Sequence, residues 1–380
     1  MLLFPTGKAM NNFDRFSSRR DVEELLLQNS RLRGEEEAVS SVENFIRGGF
    51  VLFPVKGNLK RKVFRLRGSS GRELYLKLFA PRKFPLQFLR PYAAREYAAA
   101  RELEKASVPV IRYLLWGKGE NNCSFCVSEG VKNALSAREY FFKSLLKKDP
   151  GEAAKFRSAL NDLIRSLSEK HFLHPDFHAG NMIFAPEEQK MLLLDPWGVR
   201  ETFFRTKKAK IFLCSVWTEL QDFLSDDLIL SDMVNSSLCG KKIDGLPILE
   251  KARALYRREN RSRRPKIHAR ALAGHYRYTT VKKEEDGEYV FSHTFWYAPP
   301  EEYSISPAWE KISFPSRKEA EARFLYFLDH PGETKSIPLM IRKEDGETIL
   351  YFADNPFSGV LQDDNSFLPR EEKNGGKEEK

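Results

Sequence analysis

In the stretch HPDFHAGNMIF, residues 174–184, His174, Asp176 and His178 stand at alternating positions, followed by Gly180 and Asn181. Two chemistries use such residues. On a regular strand the alternation would bring two imidazoles and a carboxylate to one face, a set suited to zinc or iron. Against it, Pro175 and Gly180 disfavour a regular strand, no further Cys or His follows nearby, and Asn181 is a poor zinc ligand. The second chemistry reads the aspartate and the asparagine instead. Phosphoryl transfer needs a loop aspartate to take the hydroxyl proton, an asparagine shortly after it to hold magnesium, and a second aspartate at a strand end for the metal that bridges the phosphates. Asp176, Asn181 and Asp195, the last at the end of the apolar run MLLLD, occur in that order.

If this reading holds, a strand lysine and a helix glutamate must lie upstream to grip the phosphates. Lys77 is central in ELYLKLF, where Leu74, Leu76 and Leu78 take the opposite face. The following helical segment offers Glu96, Glu102 and Glu104. Glu96 shares the inward face with Ala93, Ala100 and Leu103, whereas Glu102 is rotated off it, so Lys77 is paired with Glu96. The segment VKGNLKRKVF precedes Lys77 as a candidate phosphate-covering loop. It keeps a single glycine, Gly57, has Val63 where a residue would pack on the base, and adds Lys56, Lys60 and Arg61 as cations for phosphate oxygens. Each of these residues alone reads as an ordinary surface charge or turn. Their joint occurrence in order carries the assignment.

The elements needed to position these groups are legible around them. Residues 1–48 read as a leader with a short amphipathic helix near Asp21–Gln28 and an acidic patch at Glu35–Glu37. Residues 49–131 alternate as strands, FVLFPVKG, KVFRLRG and RELYLKLFA, with the turn GSSG between the second and third, then a helix over Ala93–Lys105 and two more strands. In residues 132–275 the period changes: Phe156, Leu160, Leu163, Ile164 and Leu167 share one helical face, and helices follow over Lys208–Leu224 and Pro247–Arg258. Residues 276–365 return to strands as an appendage with two Asp-Gly hairpins, TVKKEEDGEYVF and MIRKEDGETILYF, whose likeness reads equally as a weak repeat or as shared hairpin grammar. Residues 366–380 are expected to be disordered. The class is α+β: a small antiparallel sheet with one helix, then a mainly helical lobe.

Composition sets the remaining bounds. A chain of 380 residues with 41% hydrophobic content fills two or three cores, and no apolar run is long enough to span a bilayer. Four cysteines, Cys123, Cys126, Cys214 and Cys239, are too few for a disulfide framework, which points to a reducing compartment and a cytoplasmic location. A net charge of +10 favours polyanionic partners, concentrated at Arg257–Lys266 and in Arg82–Arg95. Arg82, Lys83, Phe84, Phe88, Arg90, Tyr92 and Arg95 interleave cations and aromatics as a peripheral membrane segment does, and a surface loop explains them as well.

The segments ELYLKLFAPRKF, PYAAREYAAARELEKASVPVIR, HPDFHAGNMIF and LLLDPWG together resemble the eukaryotic-like kinase superfamily, and within it the bacterial lipopolysaccharide core kinases that act on Kdo or heptose. The likeness spans about Phe50–Thr280. It implies a two-lobed fold that binds ATP and Mg2+. In that scheme Asp176 is the base, Asn181 and Asp195 bind the metal, and Gly57, Val63, Lys77, Glu96 and the hinge residues Glu129 and Val131 meet the nucleotide. It also implies a lipopolysaccharide precursor or other anionic glycolipid as partner, with the cytoplasmic membrane surface nearby and nucleic acid not expected.

Departures from the pattern bear on the acceptor and on the nucleotide. Pro175 stands where regulated protein kinases carry an arginine, and helical sequence resumes soon after Gly198, so an acceptor smaller than a protein is favoured. In DPWG a proline follows Asp195, and Tyr75 is bulky where a small residue roofs the adenine. His174 and His178 are expected to hold the loop by hydrogen bonds. Cys123 and Cys126 form a C-x-x-C without a second pair, which does not suit zinc. Trp197 is expected to pack, with sugar stacking open as its other use. Two rival readings share the residues: a soluble phosphotransferase of the aminoglycoside or choline type, and an inactive pseudokinase serving as a basic binding module.

Overall fold

The computed structural model describes residues 18–27, 32–58, 60–81, 90–119, 123–137, 139–141, 150–220, 234–239, 246–274, 279–284, 287–292, 310–329 and 336–354. Within these the chain divides into two compact units: residues 1–136, 166–176 and 181–203 form one, and residues 137–165, 177–180 and 204–380 the other. The tail 366–380, the stretch with Arg82, Lys83, Phe84 and Phe88, and Asp286 of the first Asp-Gly turn lie outside the described residues.

The first unit is built on a six-stranded antiparallel sheet. Its strands are β1 (Arg33–Gly34), β2 (Phe50–Asn58), β3 (Arg61–Gly68), β4 (Glu73–Phe79), β5 (Tyr113–Lys118) and β6 (Ser124–Glu129), ordered β1-β5-β6-β4-β3-β2. The GSSG turn joins β3 to β4, with Gly71 at φ +79°, a conformation that favours glycine. Period-two alternation decides the faces. Leu74, Leu76 and Leu78 point one way and are fully buried, so Tyr75 and Lys77 point the other.

What covers the leucine face differs from expectation. The described parts of the expected leader, 19–27 and 33–47, are not apart from the sheet. Helices α1 (Arg19–Leu27) and α2 (Glu36–Arg47) bury Val22, Leu25, Leu26, Val42 and Ile46 against Phe64, Leu66, Leu74, Leu76, Leu78 and Phe125, and β1 joins the sheet beside β5. The physical reason is the amphipathic stripe on each helix: three leucines on one strand face need an apolar cover, and these stripes supply it.

Helix α3 (Tyr92–Lys105) covers the Lys77 face. Its inward residues are Ala93, Ala94, Glu96, Ala100 and Leu103. Alanine at three of these positions lets the helix lie close to the sheet, so a glutamate among them reaches a strand side chain.

Beyond the sheet, helix α4 (Pro150–Glu169) leads into β8 (Phe172–Leu173). A hairpin of β9 (Met182–Ala185) and β10 (Lys190–Leu193) pairs through β9 with β7 (Leu135–Ser136), and β11 (Arg200–Glu201) returns to pair with β8. Helix α5 (Arg205–Leu220) begins four residues after β11, so the short connection read from the sequence is what the chain has.

In the second unit, α6 (Leu246–Leu272) continues well past the expected end at Arg258 and carries Pro265 inside it. The two hairpins lie in one five-stranded sheet. β12 (Thr279–Glu284) pairs with β13 (Gly287–Ser292), β15 (Ser336–Glu344) with β16 (Glu347–Asp354), and β13 pairs with β15; β14 (Glu310–Phe314) edges β16, and α7 (Arg317–Asp329) packs Ala320 and Phe324 on Ile341, Leu350 and Phe352. The second turn is Asp345-Gly346, with φ of +48° and +88°, as a two-residue hairpin loop requires.

Candidate active site

Opposite residues on neighbouring strands share a face, which lines up Val63, Lys77, Cys126 and Trp116 across β3, β4, β6 and β5. Lys77 sits at the centre of this row, under α3. Its Nζ is ion-paired with Glu96 Oε1 and with Asp195 Oδ1. Glu96 is 1% exposed and Glu102 is exposed, so the choice between the two glutamates follows helical phase.

Two backbone clamps bring Asp195 to this point. β10 pairs with β9 so that Leu193 faces Met182, and the Leu194 N–H donates to the Asn181 carbonyl at 3.0 Å. On its other side the Ile111 N–H donates to the Leu193 carbonyl at 3.0 Å, and the Leu193 N–H to the Pro109 carbonyl at 3.2 Å. The chain that leaves α3 therefore holds the strand that ends at Asp195.

Arg61 and Tyr113 complete the network. Arg61 Nη1 donates to Asp195 Oδ2 at 2.9 Å. The Tyr113 hydroxyl lies 2.5 Å from Glu96 Oε1 and 2.7 Å from the Leu194 carbonyl oxygen, and its single proton serves one of them at a time. Sequence reasoning missed Tyr113 and gave Arg61 only as a cation for phosphate. Tyr113 opens the apolar run YLLW, which is buried at successive positions, so it reads as one more core residue and nothing local marked its hydroxyl. The carboxylate that Arg61 meets is 134 residues away.

Electrostatics follow from burial and neighbours. Burial pushes the Asp195 carboxyl up, but the Lys77 ammonium and the Arg61 guanidinium outweigh it and hold the group well below the usual carboxylate range. Burial pulls Lys77 down, and Glu96 with Asp195 overcome it, so the ammonium is held above its ordinary range. Burial raises Glu96 against the pull of Lys77, and it raises Tyr113 and Cys126 well above theirs, with the charge of Glu96 adding to both. Cys126 is thus a protonated, buried thiol on the row beside Lys77. That environment does not make a thiolate ligand.

His174, Asp176 and Asn181 are tied to Asp195 and to one another by side-chain hydrogen bonds. The His174 ring is fully buried. Its Nδ1 accepts the Asp176 N–H at 3.2 Å, so Nε2 carries the proton and donates to the Asp195 carbonyl at 2.6 Å. Both ring nitrogens are consumed in joining Asp176 to Asp195. His178 Nδ1 accepts the Gly180 N–H at 3.0 Å. Asp176 is exposed, and Asn181 Nδ2 donates to its carbonyl at 3.1 Å and to its Oδ2 at 3.2 Å. With the amide nitrogen committed to Asp176, the carbonyl oxygen Oδ1 is the Asn181 atom suited to a hard cation, as is the Asp195 carboxylate. Among the described residues no group of three or more His, Cys, Asp or Glu side chains converges on a metal position.

The remaining expected residues fall as follows. Val63 shares the Lys77 face, and Val131 is partly buried against the cluster that contains Phe79, Ala93, Ala100 and Cys126. Gly57 lies within β2, paired with Lys62; the pairing shifts register between Pro54 and Lys56 and then continues to Asn58 and Arg61, so most of the candidate phosphate-covering segment VKGNLKRKVF is strand. Glu129 donates its backbone N–H to the Arg112 carbonyl at 2.9 Å, and its carboxylate lies 3.5 Å from Arg72 and 3.8 Å from Arg112. Its side chain is engaged by arginines. Trp197 packs edge-on to Tyr92 at 6.3 Å, with the Arg95 guanidinium 5.5 Å from its ring centre.

No family model matches the sequence, and no curated protein matches it. Among solved structures, the chain is similar to WaaP in complex with acyl carrier protein, at 15% identity over 61% of this chain and 98% of that one, with a TM-score of 0.44. It is also similar to the Cydia pomonella granulovirus kinase PK-1, at 11% identity over 43% of this chain and 57% of that one, with a TM-score of 0.30.

Proposed function

We propose that this chain is an ATP- and Mg2+-dependent kinase that transfers a phosphoryl group to a sugar hydroxyl of a lipopolysaccharide core precursor, Kdo or heptose. One observation carries the reading: a strand lysine, a buried helix glutamate and a strand-end aspartate meet in one ion network, tied through His174 to the loop of Asp176 and Asn181. Surface ion pairs form anywhere. A buried lysine bridging two carboxylates from distant parts of the chain needs the whole fold to hold it, and phosphoryl transfer is the chemistry that uses these residue types in this order.

The roles follow from the contacts. Lys77, held by Glu96, would bind phosphate oxygens and orient the transferred group. Asn181 through Oδ1 and Asp195 through its carboxylate would hold Mg2+, which when bound neutralises charge on the phosphoryl oxygens. Asp176 is exposed to an acceptor and would take the hydroxyl proton, while the Asn181 amide fixes its carboxylate. Val63 and Val131 offer apolar contacts to a base on the Lys77 face. Gly57 and Glu129 would contribute through the backbone.

The acceptor class rests on the family resemblance and on charge. Arg258, Arg261, Arg263 and Lys266 are exposed along α6, a surface suited to an anionic glycolipid and to the anionic membrane face that carries it. Among the described residues no helix is long and apolar enough to cross a membrane.

The test incubates the purified chain with ATP, Mg2+ and chemically dephosphorylated lipopolysaccharide and follows the mass of the core by spectrometry. The expected result is a gain of one phosphate, slowed about 10²- to 10⁴-fold by Asp176→Asn. Phosphorylation of free soluble alcohols alone would move the acceptor to the aminoglycoside or choline class. Absence of ATP binding by calorimetry would leave a binding module.

A further inference from the structure

Both oxygens of the Asp195 carboxylate already carry a cation: Oδ1 meets Lys77, and Oδ2 accepts from Arg61 Nη1 at 2.9 Å. The two cations are held differently. Lys77 rises from the middle of β4 and also grips Glu96, with its side chain 13% exposed. Arg61 is the first residue of β3, facing Asn58 at the mouth of the β2–β3 hairpin, with its side chain 27% exposed. Arg61 is the more exposed of the two cations.

Its position in the sequence adds a second observation. In the glycine-rich pattern that covers nucleotide phosphates, a glycine stands two places before the valine that packs on the base. Here Arg61 stands two places before Val63. Glycine gives a phosphate only its N–H, whereas a guanidinium adds charge and a planar fork that fits carboxylate and phosphate equally well. An aspartate that holds a divalent cation must give it an oxygen, and a guanidinium on that oxygen repels the metal.

We infer that Arg61 is an exchangeable counter-ion, which steadies Asp195 through Oδ2 and passes to a phosphate oxygen of the nucleoside triphosphate as the metal takes that carboxylate oxygen. This rests on the kinase reading above. Arg61 is thereby a phosphate-binding residue on a hairpin that lacks the usual glycines. No covalent step is involved: one ion pair is traded for another.

The test uses the full chain and two probes, Mn2+ without nucleotide, followed by electron paramagnetic resonance, and ATP in EDTA, followed by calorimetry. Arg61→Gln is expected to bind Mn2+ about tenfold more tightly, because Asp195 loses a competing cation, and ATP about tenfold more weakly. Arg61→Lys, which keeps the charge without the fork, is expected to lie between in both assays, and Asp195→Asn to lose Mn2+ binding. Unchanged or weaker Mn2+ binding by Arg61→Gln would overturn the inference. So would ATP binding by Arg61→Gln equal to that of a wild-type chain that does bind it, and this outcome would leave the kinase reading intact. A wild-type chain that binds Mn2+ but no ATP overturns the kinase reading and the exchange with it.

Discussion

Lys77 and Asp195, 118 positions apart in the chain, share an ion pair whose lysine also meets the buried Glu96. The lysine is held above its ordinary pKa and the aspartate below its own. The aspartate's contribution to stability is present above the usual carboxyl range near pH ~4 and is lost as pH falls further. The lysine's is present below about pH 10.4 and is lost only as pH rises through its raised value. Between pH 5 and 9 these two groups leave wild-type stability flat.

Lys77→Met removes the cation and strands Glu96 in the core. We expect a loss of about 3–5 kcal/mol at neutral pH by urea denaturation. Burial then raises Glu96 with only the Tyr113 hydroxyl left to oppose it, so the folded variant binds a proton that the unfolded chain does not, and its stability rises as pH falls toward 5. A variant as flat with pH as the wild type would contradict the placement of Glu96.

His174→Phe keeps the buried ring but removes the acceptor of the Asp176 N–H and the donor to the Asp195 carbonyl. The expected cost is about 1–3 kcal/mol, from one stranded buried carbonyl and a loosened loop. Differential denaturation measures it. Stability equal to wild type would mean that the ring is only filling space.

Asn181→Ala removes the amide that fixes the Asp176 carboxylate as well as the proposed oxygen ligand. On the kinase reading, the Mg2+ concentration for half-maximal turnover should rise about tenfold or more while ATP affinity measured in EDTA holds steady, since a ligand oxygen is lost and no phosphate contact is. An unchanged Mg2+ requirement would remove Asn181 from the metal site.

Gly117→Ala tests the core beneath β5. A methyl group there would lie 2.5 Å from the Phe125 ring, which is fully buried. Overpacking of this kind costs about 1–3 kcal/mol, read as a lower urea midpoint with unchanged slope. The smaller ring pocket of Gly117→Ala/Phe125→Leu should recover part of it.

Much of the site was legible in the sequence because it is written in short-range periods. Alternation put Lys77 opposite three leucines, helical phase selected Glu96 over Glu102, and the spacing of Asp176 to Asn181 set a loop that fits one hydrogen-bonded pair. The Asp345-Gly346 turn and GSSG were legible for the same reason: their backbone angles demand particular residues. Helix ends were less so. α6 outruns its expected end by 14 residues because the basic run after Arg258 breaks the apolar period without breaking the helix.

What the sequence by itself determined, then, is which residues share a face or a turn, since that depends only on neighbours a few positions away. What the tertiary structure alone decided is which faces meet. α1 and α2 could have been a detached leader until the leucine face of β4 claimed their apolar stripes. Arg61 could have pointed at solvent until β10, clamped between β9 and the chain leaving α3, brought a carboxylate within 2.9 Å. Long-range ion pairs carry no local period, because their partners are fixed by the packing of whole elements and not by the spacing of residues along one of them.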